Sequence, residues 1–169
     1  MAFWLFKSEP DEYSLQDIAA EPGGCGRWDG IRNYQARNFL RDQVSPGDKV
    51  LFYHSACKMP AVVGTAEVTR AAYPDPAQFD PDSQYFGPKA SADEPRWYCV
   101  DLSWRSEFAR PVPLAEIKQT SELENMMLVK QGRLSIQPVA AEEWDTIVRL
   151  GERQPGPTQG PGFIEETES

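Results

Sequence analysis

Lys49-Val50-Leu51-Phe52-Tyr53-His54-Ser55 and Ala61-Val62-Val63-Gly64-Thr65-Ala66-Glu67-Val68 are the two stretches on which the fold turns. Each is a short apolar run rich in β-branched and aromatic residues, which predicts a strand. A strand with one wet face alternates apolar with polar residues. These runs are close to continuous, which predicts burial on both faces, as in a closed barrel. Gly64 predicts a bulge or bend within the second run. Ser45-Pro46-Gly47-Asp48 predicts the turn that leads into the first.

Outward from this pair, strands and helices mix without βαβ alternation. Phe3 to Phe6 predicts another buried strand. Ser14 with Asp17 has the spacing of a capping box, and Leu15, Ile18 and Ala19 follow at helical spacing. Gly23-Gly24-Cys25-Gly26 ends that helix. Asn33 is a favourable N-cap for a second helix, with Ala36, Phe39 and Leu40 as its stripe and Arg37 and Arg41 on one face. Residues 73–96, rich in Pro, Asp and Ser, predict a long loop of the kind that often carries function. Tyr98 to Trp104 alternates as a half-buried strand. Short helical turns are predicted from Pro113 and around Leu123, Met126 and Met127, and Ser135 to Val139 is extended. A last helix carries Trp144, Ile147 and Val148, with Glu142 and Glu143 in its first turn, Arg149 in its last, and Gly151 as its C-terminal cap. The class is α+β, a small mixed β-barrel with flanking helices.

The chain has 169 residues, enough for one domain. Pro155-Gly156-Pro157-Thr158-Gln159-Gly160-Pro161-Gly162, followed by Glu165, Glu166 and Glu168, buries too little to offset its ordering entropy. The predicted organisation is a domain over 1–152 and a flexible Pro/Gly-rich acidic tail over 153–169. Net charge is −9, which argues against holding nucleic acid through bulk charge but leaves a local groove or base pocket open. Residues 1–58 carry seven basic and eight acidic residues, so the most nearly neutral part of the chain also holds Arg27, Arg32, Arg37 and Arg41. No apolar run is long enough to span a membrane, and the first residues lack the pattern of a signal peptide. Three cysteines, an odd number, fit a reduced cytoplasmic protein.

Several chemistries are disfavoured. His54 is the one histidine, and no Gly-x-Ser-x-Gly elbow accompanies it. Cys25, His54, Cys57 and Cys99 contain no Cys-x-x-Cys unit, so no metal is expected. Asp80-Pro81-Asp82 opens like a calcium loop, but Tyr85 and Ser91 stand where glycine and glutamate are needed. No phosphate loop or dinucleotide fingerprint is present, so no cofactor is expected and the chain reads as a binder rather than an enzyme. What remains is aromatic and amide chemistry. Trp4, Trp28, Tyr34, Tyr53 and Trp97 are interleaved with Lys7, Ser8, Arg32, Asn33, Gln35, Asn38, His54, Ser55, Ser135 and Gln137. Aromatic faces stack on a nucleobase while amides and hydroxyls read its edge. The same aromatics also serve a core, and Trp4 and Trp97 are assigned there.

Trp4-Leu5-Phe6-Lys7-Ser8-Glu9-Pro10, Trp28-Asp29-Gly30-Ile31-Arg32-Asn33-Tyr34-Gln35-Ala36-Arg37-Asn38, Phe52-Tyr53-His54-Ser55 and Arg133-Leu134-Ser135-Ile136-Gln137-Pro138-Val139 occur in this order. Together they resemble the EVE domain, of the PUA-like superfamily, over about residues 1–150, in the manner of bacterial stand-alone members. The resemblance implies a barrel-like sheet similar to those of YTH and ASCH domains. It also implies recognition of a modified base in DNA or RNA, a methylated or hydroxymethylated cytosine foremost. The base pocket is then expected among Lys7, Ser8, Trp28, Asn33, Tyr34, Tyr53, His54, Ser55, Ser135 and Gln137, with Arg32, Arg37 and Arg41 toward phosphate. Alternatives stay open at this point. Trp28 is a stacking wall or a plug of the barrel end, Asn33 a base reader or only the N-cap, and Gln137 a base reader or a tie for the backbone before the last helix. Tyr53 and Ser55 are expected on one strand face and His54 on the other. A free nucleotide-like ligand without polymer binding is the second reading, and a nucleotide-acting enzyme the third.

Overall fold

Strands β1 (Phe3–Ser8), β2 (Cys25–Trp28), β3 (Lys49–His54), β4 (Ala61–Pro74), β5 (Tyr98–Pro113) and β6 (Ile136–Val139) form one mixed sheet in the order β2-β5-β4-β3-β1-β6. β1 runs parallel to β3, and the other neighbours are antiparallel. Helices α1 (Leu15–Ala19) and α2 (Tyr34–Asp42) lie in the crossover between the parallel pair, while α3 (Leu114–Gln119), α4 (Met127–Lys130) and α5 (Ala141–Glu152) follow β5. The computed structural model describes residues 2–131 and 133–152, so the predicted tail over 153–169 lies outside the described residues.

The α+β class holds, but the sheet is not closed into a barrel. β2 and β6 end the ladder and do not pair with each other among the described residues. The doubly buried strands have a different cause. On one face Trp4, Phe6, Val50, Phe52, Ala66 and Leu102 pack under Leu15 and Ile18 of α1 and Ala36 and Leu40 of α2. On the other, Leu5, Leu51, Tyr53, Val62 and Val112 pack under Ile117 of α3, Ile147 of α5, and Leu123 and Met126 between them. Helices on both faces demand the same unbroken apolar run as a barrel interior does.

Local chemistry sets the element ends. Ser14 caps α1 in a full capping box with Asp17, and Asn33 caps α2 by accepting from the Ala36 N–H at 2.9 Å. The turn before β3 folds around Asp48, 3% exposed, which accepts from Ala2 N, Trp4 Nε1 and Ser45 N, each at 2.9 Å. That carboxylate fastens the start of β1 to its parallel neighbour. The expected bulge is present, because Phe52 pairs with Gly64 and Tyr53 with Val62, leaving Val63 extra. A Cβ on Gly64 would run into Leu15 and the Ser106 carbonyl. β4 and β5 run well past their apolar centres, to Pro74 and Pro113, and their register shifts four times. Each extension is a strand because it pairs with the first residues of the other strand, not because its own residues favour extension.

His54 ends β3, and its Nε2 accepts the backbone N–H of Leu15, in the first turn of α1, at 3.1 Å. An imidazole in that role must be neutral, and burial holds its pKa below the ordinary 6.5. The folded state therefore binds this proton less readily than the unfolded chain. Its contribution is complete above about pH 6.5 and is lost as pH falls below that value. Between about pH 7.5 and 5.5 the wild type should lose more of its melting temperature than His54→Gln, whose amide oxygen can take the same N–H without titrating.

Gly151 lies inside α5 and is buried, in contrast to the expected C-terminal cap. A Cβ there would enter the Phe108 ring. Helix propensity alone would make Gly151→Ala stabilising by about 1 kcal/mol. Overpacking against Phe108 should reverse the sign and cost about 1–3 kcal/mol in chemical denaturation. A stabilised alanine variant would show that the approach of α5 to Phe108 is not tight.

Candidate functional site

The C-terminal ends of β1 and β3, the end of β2 and the turn before β6 surround a cleft of about 840 Å³. Its floor is Trp28, 4% exposed, whose ring lies 5.1 Å from that of Phe52, 5.4 Å from Phe6 and 6.1 Å from Tyr13. Trp28 is thus a core residue that also lines the cleft. Lys7, Ser8, Asn33, Ser55, Ser135 and Arg32 also line the cleft. Parallel pairing brings Ser8 beside His54, and Ser55 N donates to Ser8 O at 2.9 Å, so the hydroxyl-bearing ends of two distant segments meet.

The structure places the remaining expected residues outside the cleft lining. Tyr53 belongs to the core on the opposite face of the sheet. β3 ends at His54, and Ala56 takes a left-handed φ of 52°, so the backbone turns and Ser55 does not follow the face of Tyr53. Lys7 extends its ammonium over the Tyr53 ring, 5.4 Å from the centroid, and partial burial lowers its pKa. His54 is occupied with α1. Tyr34, half-exposed, stacks on Trp97 at 4.8 Å with the Arg37 guanidinium over its ring. Gln137 is fully buried, and its Nε2 donates to Leu134 O at 2.8 Å and Gln131 O at 3.1 Å. It ties down backbone, as one alternative had it, though the segment it holds precedes β6 rather than α5. Its Oε1 is buried and unpartnered among the described residues. Arg37 donates to Arg96 O and Asn38, and Arg41 to Asp42 and Asn38, along α2.

Arg32 lines the cleft but spends itself on the protein. Nη1 reaches Ile31 O and the buried Asp75 carboxylate, while Nε and Nη2 both reach Tyr85 O. Four of its five N–H donors are used, leaving one for a ligand. The second wall comes from the long loop between β4 and β5. Gln78, fully buried, closes that loop by donating to Asp75 O and Trp97 O and accepting from Arg96 N and Trp97 N. So fixed, the loop presents Tyr85, whose hydroxyl donates to Glu12 across the cleft rim at 3.0 Å. Burial and Glu12 push the Tyr85 hydroxyl up to about 12.

Sequence reasoning also missed the carboxylates. Glu9, Asp11, Glu12, Glu21 and Asp29 line the cleft beside Lys7, Arg27, Arg32 and Arg133. Burial, then the charge of Asp75, raises the Asp29 pKa, against the pull of the Arg27 guanidinium at 3.1 Å. Arg27, grouped by charge with Arg32, Arg37 and Arg41 in the sequence, lies on the exposed side of β2 with Cys25, while Gly26 and Trp28 are buried. Nothing local marked Tyr85, which reaches the site only through the loop. Chemically, the cleft offers the aromatic residues Tyr13, Trp28 and Tyr85, three serines and a partly buried carboxylate, with charges of both signs in its lining.

Residues 2–150 match the EVE domain. Human Thymocyte nuclear protein 1 is 39% identical over 169 aligned residues, covering 90% of this chain and 75% of that protein. A solved structure from Pseudomonas putida is 49% identical with a TM-score of 0.83, covering 88% of this chain and 99% of the other. Human THYN1 protein in complex with 5-methylcytosine containing DNA is 38% identical with a TM-score of 0.86, covering 92% of this chain and 100% of that one. The YTH domain of Zygosaccharomyces rouxii MRB1 protein, in complex with N6-methyladenosine RNA, shares the fold alone, with a TM-score of 0.54 at 18% identity, covering 98% of this chain and 89% of that one. The family match takes in all six strands and both walls of the cleft, and this chain belongs to the EVE domain family.

Proposed function

We propose that this chain binds DNA or RNA by holding one modified base, a methylated or hydroxymethylated cytosine foremost, in the cleft above Trp28. The carrying observation is the cleft itself, aromatic-floored and large enough for a nucleotide, in a chain whose backbone matches a protein complexed with 5-methylcytosine containing DNA. A flat ring gains about 1–3 kcal/mol from stacking on an aromatic side chain. Asp29 is suited to the ring's edge, because an ionised carboxylate accepts the cytosine amino group. Ser8, Ser55 and Ser135 can donate or accept as the edge requires. Ile31, buried beside Trp28 in the lining, supplies an apolar corner for a methyl group. Asn33 takes part through the helix start that it caps, and Arg37 and Arg41 steer a strand from the outer face of α2.

Extrusion of a paired base costs a few kcal/mol, so single strands and weakly paired sites should bind better. We read the chain as a binder rather than an enzyme. Its one histidine is committed to the N–H of Leu15, and burial pushes the Cys99 thiol up to about 12. The three cysteines are free thiols, which supports a cytoplasmic setting, and among the described residues no helix is long and apolar enough to cross a membrane.

One observation favours a second reading. Five carboxylates against four cations around the cleft suit a neutral ring better than a polyanion. A free nucleoside is therefore the alternative ligand.

The test is fluorescence titration with short single strands carrying one cytosine, 5-methylcytosine or 5-hydroxymethylcytosine, together with the free nucleosides. One modified strand should bind tighter than its unmodified counterpart, and Asp29→Ala should weaken it about tenfold. The melting temperature should stay nearly unchanged, since the Arg27–Asp29 pair is half-exposed and such pairs contribute little. Equal affinity for all three strands would sink the modified-base reading. Trp28→Ala is unsuitable as the sole probe, because emptying a site among Phe6, Phe52 and Tyr13 should itself cost about 3–5 kcal/mol. Trp28→Phe keeps most of the packing while reducing the stacking face.

A further inference from the structure

A second cavity of about 450 Å³ adjoins the cleft and shares Asn33 and Arg133 with it. Its other lining residues are Gln35, Lys130, Gln131 and Leu134. We infer that this groove is a phosphate subsite, where Lys130 and Arg133 hold the sugar–phosphate backbone flanking the base in the main cleft. The inference rests on the base-binding reading above and says where the strand leaves the cleft.

Charge carries the argument. Arg27, Arg32, Arg41, Lys49, Arg105 and Arg110 are each within 4 Å of a carboxylate. Lys130 and Arg133 are exposed and form no ion pair among the described residues. No carboxylate lines the second cavity, whereas five line the first. The two cavities therefore divide the work, with a cleft of mixed charge suited to a ring beside a groove of amides whose two charged residues are both cations, suited to an anion. The first turn of α2, at Asn33 and Gln35, adds the positive end of a nine-residue helix on the same side.

The groove is also built. Gln137 donates to the carbonyls of Gln131 and Leu134, on either side of Arg133. The turn carrying Arg133 is pinned from below by a fully buried amide. Gln137 is thus a positioning residue for the phosphate contact, without touching the ligand.

The test compares wild type with Lys130→Gln/Arg133→Gln, using the same modified and unmodified single strands and free nucleosides over about 50–200 mM salt. Each phosphate contact on a single strand contributes about 0.7 to the slope of log K against log salt. Loss of two contacts should flatten the slope by about 1.4 and shrink the fall in affinity across that range by about sevenfold. Modified and unmodified strands should weaken equally, and in the single variant Lys130→Gln, at a residue outside the base cleft, affinity for free nucleosides should not change. Gln137→Leu, if it folds to the wild-type melting temperature, should flatten the slope in the same direction.

An unchanged slope in the double variant, with base preference intact, would overturn the subsite and leave the base reading standing. A flattened slope with no preference among bases in either protein would do the reverse. Absence of strand binding by the wild type would overturn both.

Discussion

The Asp75 carboxylate is cut off from water, and the cleft is assembled around it. One oxygen accepts from Gly30 N at 2.9 Å and Arg32 Nη1 at 3.1 Å, and the other from Ala77 N at 2.8 Å. A buried carboxylate without such partners would cost several kcal/mol, and removing one partner of a buried pair typically costs about 3–5 kcal/mol. This anion therefore dictates where the loop after β2 and the start of the β4–β5 loop must lie. Arg32 extends the constraint by gripping the Tyr85 carbonyl, and the Tyr85 ring in turn rests against Gly30. Gly30 has a φ of 79°, and a Cβ there would press on that ring at 3.0 Å. Trp28 sits two residues before this knot, so its place at the cleft floor is fixed by charge as well as by packing.

The class was legible because its signals are local. Runs such as Val50–Tyr53 have one interpretation as strands, and Ser14/Asp17 and Asn33 cap helices through bonds spanning three residues. Closure was not legible. A barrel interior and a sheet covered by helices on both faces bury the same residues, so Leu51 and Phe52 read alike in either. Only the pairing of edge strands separates the cases, and pairing is a long-range property. The polar extensions of β4 and β5 escaped notice for the same reason, since Arg105 to Pro113 is extended only because Val62, Gly64 and Thr65 lie opposite.

The site shows the same division. Ser8, Trp28, Asn33, Ser55 and Ser135 stand in the four quoted motifs, all within the residues that match the EVE domain, and they converge. Tyr53 and Gln137 stand in those motifs too, yet their chemistry is turned inward. In a sequence, a buried amide that holds the Gln131 and Leu134 carbonyls looks the same as an amide that touches a ligand. Tyr85 and Asp29 went unnoticed because their roles depend on contacts to Glu12, Arg32 and Asp75, up to 73 residues away.

The net charge of −9 is less of an obstacle to nucleic-acid binding than it first looks. Potential at a binding groove is set by charges within about a Debye length, roughly 8–10 Å at physiological salt. Of the acidic residues around the cleft, Asp29 is paired with Arg27, while Glu12 and Glu21 keep their charge and accept from the Tyr85 and Tyr13 hydroxyls. Lys130 lies outside that acidic lining, and Arg133 stands where the two cavities meet. On the proposed reading, the acidic surface repels a long duplex, and a strand is held where the groove of Lys130 and Arg133 meets the cleft. Overall charge then serves selectivity, because it suppresses indiscriminate backbone binding and leaves the base in the cleft to decide the affinity.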